Sequence, residues 1–278
     1  MRVHHLSCGS FCPHGRRLVN GEGGWFEKGL IVCHCLAIES DDGLVLLDTG
    51  FGLEDARNPR QLGVYAPLLN LRATEESSAL RQLEALGFEA ADVRHIVITH
   101  LDLDHAGGLP DFPEAEVHVF APELQAALRP TLRERSRYIG GAHWKHEPRW
   151  VEHSGGGDRW FGFESVRILP GIDAEVLLVP LIGHSRGHTG VAVKDGERWL
   201  LHCGDAYFHR GEIAMPPSCP PILRGFQTLM ASDNAARKAN QERLRELARS
   251  HGDEITLFCA HDPHELRREQ VAGAVAAA

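Results

Sequence analysis

The chain lacks any apolar run approaching the roughly 20 residues of a membrane-spanning helix. Its opening, Met1-Arg2-Val3-His4-His5, contains no apolar leader core. A cytoplasmic protein that does not sit in a membrane is the expectation. A basic excess is missing too: 29 Lys and Arg stand against 38 Asp and Glu, a formal net charge of -9. That balance argues against nucleic acid as a partner, because phosphate backbones are met by clustered cations. The seven cysteines, at 8, 12, 33, 35, 203, 219 and 259, are odd in number and scattered, so they form no disulfide framework. Cys33 and Cys35 read as small core-filling side chains. There is no internal repeat of about 20 to 50 residues, which excludes solenoids and propellers.

What is present is the composition of an ordinary folded protein, 43% hydrophobic and 24% charged over 278 residues. This fits one domain spanning 1–278. Ile31 to Glu39 and Gly43 to Asp48 are apolar runs split by Ser40-Asp41-Asp42, a hairpin pattern that ends at the turn Asp48-Thr49-Gly50. Thr74 is placed to cap a helix whose inner face is Ala79, Leu80, Leu83 and Leu86. His95 to Thr99 reads as a buried strand, Val117 to Phe120 as another, and Pro122 opens a short helix. Further strands are expected over Glu175 to Leu181, Gly190 to Lys194, Arg198 to His202 and Ile255 to Cys259. Ser232 is expected to cap a helix reaching about Arg249, and a last helix starts near Pro263. Residues 129–163 hold Trp144, Trp150, Trp160, several arginines and a triple glycine, and read as a lid or insertion. Their aromatics are candidates for an apolar wall. Arg133, Arg135, Arg137 and Arg149 are candidates for meeting a substrate anion, with solvated surface charge the more ordinary reading.

Histidine is abundant, with 18 residues. Four metal-competent side chains fall within six positions where a buried strand ends: His100, Asp102, Asp104 and His105. Carboxylates this crowded would repel unless one took up a proton or a cation lay between them. If the segment leaves the strand extended, His100, Asp102 and Asp104 share one side. One ion could then use His100 and Asp102, and a second Asp104 and His105. Gly107 and Gly108 permit a tight fold around them.

In this His-x-Asp-x-Asp-His form the loop resembles the signature of the metallo-β-lactamase superfamily, His-x-His-x-Asp-His. The resemblance extends to Leu46-Leu47-Asp48-Thr49-Gly50 and to Gly183-His184-Ser185-Arg186-Gly187-His188-Thr189-Gly190. It continues through His202-Cys203-Gly204-Asp205-Ala206 and Phe258-Cys259-Ala260-His261-Asp262, covering about residues 30 to 262. It implies an α/β fold, an αβ/βα four-layer sandwich of two mixed sheets flanked by helices. It also implies the remaining ligands: His188, a bridging Asp205, and His261. Asp48 would support the metal loop, and His184 would lie behind the ligands. The Gly-His-Ser-Arg-Gly-His-Thr-Gly stretch is most similar to the N-acyl homoserine lactonase group. The implied activity is opening of a lactone, or cleavage of a related small ester, by a hydroxide held between two divalent ions.

Two departures from the family pattern bear on the chemistry. Asp102 stands where the family has histidine. A carboxylate is a harder ligand, so iron or manganese becomes admissible beside zinc. Lactonases carry a tyrosine three residues after the bridging aspartate; here position 208 is Phe, and Tyr207 is the candidate oxyanion partner. Asp104 is the candidate for steering the proton of the leaving oxygen. The expected partner is a small-molecule substrate, and the protein a monomer or homodimer. A phosphodiesterase, an iron redox enzyme and a non-catalytic binding protein on the same fold are the competing readings.

Overall fold

A computed structural model describes residues 2–276. The expected hairpin forms. β1 (Val3–Phe11), β2 (Ile31–Ser40) and β3 (Gly43–Leu47) run antiparallel in sequence. β4 (Leu71–Arg72) flanks β1, and β5 (Val93–Val97), β6 (Glu116–Phe120) and β7 (Arg149–His153) extend the sheet in parallel from β3. The order is β4-β1-β2-β3-β5-β6-β7. β8 (Arg159–Trp160) and β9 (Phe163–Glu164) make a separate two-stranded ribbon. The second sheet runs β10 (Val166–Arg167), β11 (Val176–Pro180), β12 (Thr189–Asp195), β13 (Arg198–His202), β14 (Ile255–Phe258). Its strands are antiparallel except for the parallel β13–β14 pair.

The period of two sorts each strand into two faces. Leu36, Ile38, Val45, Leu47 and Val97 of the first sheet pack against Val176, Leu178, Val191, Val193 and Phe258 of the second. The alternate positions face outward onto helices. Cys35, Ala37, Leu44, Leu46 and Ile96 meet Leu83 and Leu124. Leu177, Val179, Ala192 and Leu257 meet Leu244 and Leu247. Helix, sheet, sheet and helix therefore form the four-layer αβ/βα sandwich. Burying each such aliphatic side chain contributes roughly 1.5–3 kcal/mol. A charge at Leu178, which is 0% exposed, would oppose the joining of the two sheets.

Three local expectations are corrected. Thr74 caps only the short turn Glu75–Ser77, and Ser78 caps the helix Ala79–Ala85 by accepting from the Arg81 amide. Asp233, not Ser232, caps Asn234–His251, accepting from the amides of Ala235 and Ala236. Residues 129–163 are not one lid. Arg149–His153 is an edge strand of the first sheet, while the stretch before it folds over the edge where the histidines gather. Nor do its tryptophans form a cavity wall. Trp144 and Trp150 pack on the outer face of the first sheet, and Trp160 on the core beneath Asn234–His251. Among the described residues, no helix is long and apolar enough to cross a membrane.

The parallel pairs β3–β5 and β13–β14 end on the same edge of the sandwich. The two sheets are stitched there by backbone bonds: Thr189 donates to Thr99 (3.0 Å), and His34 donates to Ala260 (2.9 Å). The loops leaving these strand ends carry the polar cluster.

Candidate metal centre

The segment after β5 does not stay extended. Asp102 occupies the N-cap position of a single helical turn, Leu103–Ala106. Asp104 and His105 therefore turn away from His100 and Asp102 by helical rotation rather than by strand alternation. Close packing holds the turn down. A Cβ on Gly107 would lie 2.2 Å from Asp55 Oδ2 and 2.7 Å from the Gly50 carbonyl oxygen.

Two groups of donors result. His100, Asp102 and His184 form one, and Asp104, His105 and His261 the other; Asp205 lies between them with His100 and His105. His100, His105, His184, Asp205 and His261 are all at most 3% exposed. The protonation of the rings follows from their far sides. His105 donates from Nδ1 to Asp48 Oδ2 at 2.7 Å. His261 donates from Nδ1 to the Val32 carbonyl at 2.8 Å. His100 Nδ1 faces Thr99 Oγ1 at 3.1 Å, whose own proton goes to Asp48. Each ring therefore turns an Nε2 lone pair inward. His105 Nε2 and His261 Nε2 lie 3.2 and 2.9 Å from Asp205 Oδ1, an acceptor facing acceptors. His100 Nε2, His105 Nε2 and Asp205 Oδ1 are buried without any hydrogen-bond partner. Leaving several such atoms unsatisfied would cost a few kcal/mol each. A divalent cation is the species that satisfies them together, so the donor set fits a metal.

Charge agrees with geometry. Burial alone would raise the Asp205 carboxyl, but His261, His105, His184 and His100 hold it well below the usual carboxylate range. Burial would likewise lower His105, yet Asp205 and Asp48 draw its proton affinity well above the ordinary value, so a proton competes with a metal ion for the inward Nε2. These opposed pulls mark a site built around charge exchange.

His188 does not join the cluster. Its Nδ1 donates to the Leu181 carbonyl at 2.9 Å, and its Nε2 accepts the Asp205 amide at 2.8 Å. Both nitrogens are spent, and the ring positions Asp205 instead. The reason is local. His188 immediately precedes β12 and is fixed by the strand, whereas His184 sits at the crest of the preceding loop and turns Nε2 inward. Gly204 (φ +51°) makes room for this arrangement; a Cβ there would lie 2.6 Å from His188 Nε2.

Tyr207 is also misplaced by the sequence reading. Residues 205–208 form no strand, and their irregular backbone turns Tyr207 away from the cluster. The Tyr207 hydroxyl donates to Glu265 at 3.2 Å, within the core beneath Asn234–His251. Phe208 takes the inward place, with its ring centre 4.4 Å from that of His261. Asp48 performs the supporting role expected of it, also accepting the Thr99 amide at 2.8 Å.

Two further residues organise the site: Glu123, which no motif pointed to, and Arg137, a candidate for a substrate anion that is instead committed to Asp102. Glu123, 0% exposed, accepts from the Leu101 amide, Ser185 Oγ and the Gly187 amide, tying together the two loops that carry His100 and His184. Arg137, 3% exposed, pairs with Asp102 through Nε to Oδ1 (2.8 Å) and Nη2 to Oδ2 (2.7 Å). Above the cluster opens a cavity of about 100 Å³. Its floor includes Asp104, Asp205 and His261, and its walls include Phe11, Leu103, Phe208, Leu223 and Phe226.

The comparisons with known proteins agree with this architecture. The profile of the metallo-beta-lactamase superfamily matches residues 29–250. A probable metallo-hydrolase of Mycobacterium tuberculosis is 43% identical over 272 residues, which is 97% of this chain and 83% of that protein. An N-acyl homoserine lactonase of Rhizobium radiobacter is 27% identical over 274 residues, covering 95% of this chain and 94% of that one. Among solved structures, an N-acyl homoserine lactone hydrolase with N-hexanoyl-L-homoserine at its catalytic metal centre shares the fold. Its TM-score is 0.71 at 21% identity, covering 96% of this chain and 95% of that chain. This chain belongs to the metallo-β-lactamase superfamily and has the fold of its metallo-hydrolases.

Proposed function

We propose that the protein opens a lactone, or cleaves a related small ester, at a metal centre held by His100, Asp102, Asp104, His105, His184, Asp205 and His261. The observation that carries this reading is the placement of an inward-facing donor cluster at the floor of an apolar-walled cavity. The full-length likeness to N-acyl homoserine lactonases supports the substrate class.

A bound divalent ion, zinc by the nature of the donors or iron or manganese by the number of carboxylates, supplies a water activated near neutral pH and polarises the carbonyl. The protein's own groups do the rest. Asp205, pinned by the His188 ring at its amide, presents its carboxylate between the two donor groups. Asp104 borders the cavity and is the carboxylate with the freest access to it, its side chain 13% exposed. We assign it the proton that reaches the leaving oxygen, because it borders the space a substrate would fill. Phe208, Leu223 and Phe226 exclude water from the apolar portion of the substrate. Among the described residues, the arginine that lines the cavity, Arg137, is committed to Asp102 and no lysine lines it, which disfavours a phosphodiester.

The test is a panel of lactones, aliphatic esters and bis-p-nitrophenyl phosphate, assayed beside metal content. Lactone turnover that is lost on chelation and restored by added metal is expected. Phosphodiester turnover exceeding that of every lactone and ester would overturn the assignment.

A further inference from the structure

The two donor groups of the centre are unequal. Among the described residues, no arginine or lysine pairs with the Asp104–His105–His261 group, and His105 Nε2 and the adjoining Asp205 Oδ1 have no hydrogen-bond partner. In the His100–Asp102–His184 group a cation is already present. Arg137 Nη2 lies 2.7 Å from Asp102 Oδ2 and 2.5 Å from His184 Nε2. These are the same two atoms that a metal ion would use there. The remaining Asp102 oxygen accepts from Arg137 Nε at 2.8 Å.

We propose that Arg137 is an internal cation of the centre, standing in the Asp102–His184 half and competing with a metal ion for it. The Asp104–His105–His261 half, with Asp205, is then the tight site, and the second ion is weak and exchangeable. This rests on the reading that the cluster binds metal, but not on the choice of substrate.

The guanidinium is fixed as a ligand would be, not draped over a surface. Besides Asp102 and His184 Nε2, its Nη1 donates to the backbone carbonyls of His184 (2.8 Å) and Met230 (3.0 Å). Its bidentate fork satisfies the Asp102 carboxylate fully. An ion seated on Asp102 Oδ2 and His184 Nε2 would meet a like charge a few ångströms away in a buried setting, where repulsion is poorly screened. A second metal therefore has to displace Arg137 from all of these bonds. His184 Nε2 faces the Nη2 donor as an acceptor, so the same lone pair serves either cation. Ser136, next in the chain, and Met230, one of the carbonyl anchors, both line the cavity. Displacement of Arg137 would therefore be felt at the substrate wall.

The experiment is a calorimetric titration of metal-stripped protein with Zn2+, read as stoichiometry and affinity without reference to turnover. Wild type is expected to take one ion tightly and a second at least tenfold more weakly. Arg137→Met is expected to narrow that gap by tenfold or more. Two equally tight ions in wild type, or an unchanged gap in the variant, would overturn the proposal. Should Arg137→Met fail to fold, the wild-type protein decides alone. Crystals given one equivalent of Zn2+ should show the anomalous peak among Asp104, His105 and His261 with Arg137 still on Asp102. A peak on Asp102 and His184 instead would refute it. If neither protein binds Zn2+, the reading of the cluster as a metal centre falls, and this inference with it; a lactone panel without turnover would leave it standing.

Discussion

His105 Nδ1 and Asp48 Oδ2 are 2.7 Å apart, both side chains buried, and this bond decides which face of the His105 ring looks into the centre. With Nδ1 donating, Nε2 has only its lone pair to offer Asp205 and a metal. Replacing Asp48 by Asn lets the amide nitrogen face His105 and favours the wrong tautomer. Asp48→Asn is therefore expected to weaken metal binding about 10- to 100-fold, as the loss of supporting carboxylates behind metal histidines does. Metal retained after dialysis against a graded chelator measures it; retention equal to wild type would show that the bond does not set the tautomer.

His184 and His188 are expected to separate cleanly. His184→Ala removes an inward lone pair and should lose affinity in the Asp102 half of the centre. His188→Ala leaves the Leu181 carbonyl and the Asp205 amide without partners in a buried place. It should cost about 2–3 kcal/mol of stability, with the loss of metal secondary to that. Thermal melts recorded in chelator, where no metal contributes, distinguish the two. A smaller drop for His188→Ala than for His184→Ala would contradict the division.

The sheets, the four layers and most of the residues that gather in the cluster could be read in the sequence, because strand alternation and motif order are local signals. Leu36 and Ile38 alternate with Cys35 and Ala37, so the period of two already sorts the strand into two buried faces, one for the second sheet and one for helices. What could not be read is which of two like residues wins a place. Gly183 to Gly190 offers His184 and His188, four apart, and only the start of β12 tells them apart. Tyr207 and Phe208 are adjacent, and the irregular backbone at 205–208 decides which turns to the cavity. Arg137 stood out only as one of four arginines suited to an anion, and its partner could not be read because Asp102 is 35 residues away. The one available hint was that a third carboxylate beside Asp104 and Asp205 has to find a cation.

The Tyr207–Phe208 pair yields a test of the cavity wall. Tyr207→Phe removes only the hydroxyl that donates to Glu265, so it should cost about 1 kcal/mol of stability and leave kcat unchanged. Phe208→Ala should raise KM for substrates with an apolar chain several-fold and affect the smallest lactones least, because it deletes an apolar wall. Steady-state kinetics on both variants with a chain-length series settles the matter. A fall in kcat of tenfold or more in Tyr207→Phe would restore the tyrosine to the chemistry.

Glu265 is the partner of that hydroxyl, and burial raises its carboxyl to about 7 even though it accepts the Cys259 amide at 2.8 Å. In the unfolded chain the same group titrates near 4.5. Between those values the folded protein holds a proton that the unfolded chain has released. The contribution to stability therefore declines as pH climbs from 4.5 to 7, is lowest above 7, and is regained on acidification. At 1.36 kcal/mol per unit the span is about 3 kcal/mol. Glu265→Gln keeps an oxygen for Cys259 and has nothing to ionise, so it should abolish this slope. Other buried groups titrate nearby, His5 lowered by burial to about 4 and Asp111 raised by burial to about 6, but both proteins share them. The difference between the two stability–pH curves isolates Glu265. Denaturant unfolding in chelator from pH 4.5 to 8 should give a variant whose advantage over wild type grows with pH until about 7 and then stays level. A constant difference would mean that Glu265 ionises freely in the fold, and that the Tyr207 hydroxyl is bonded to a carboxylate throughout.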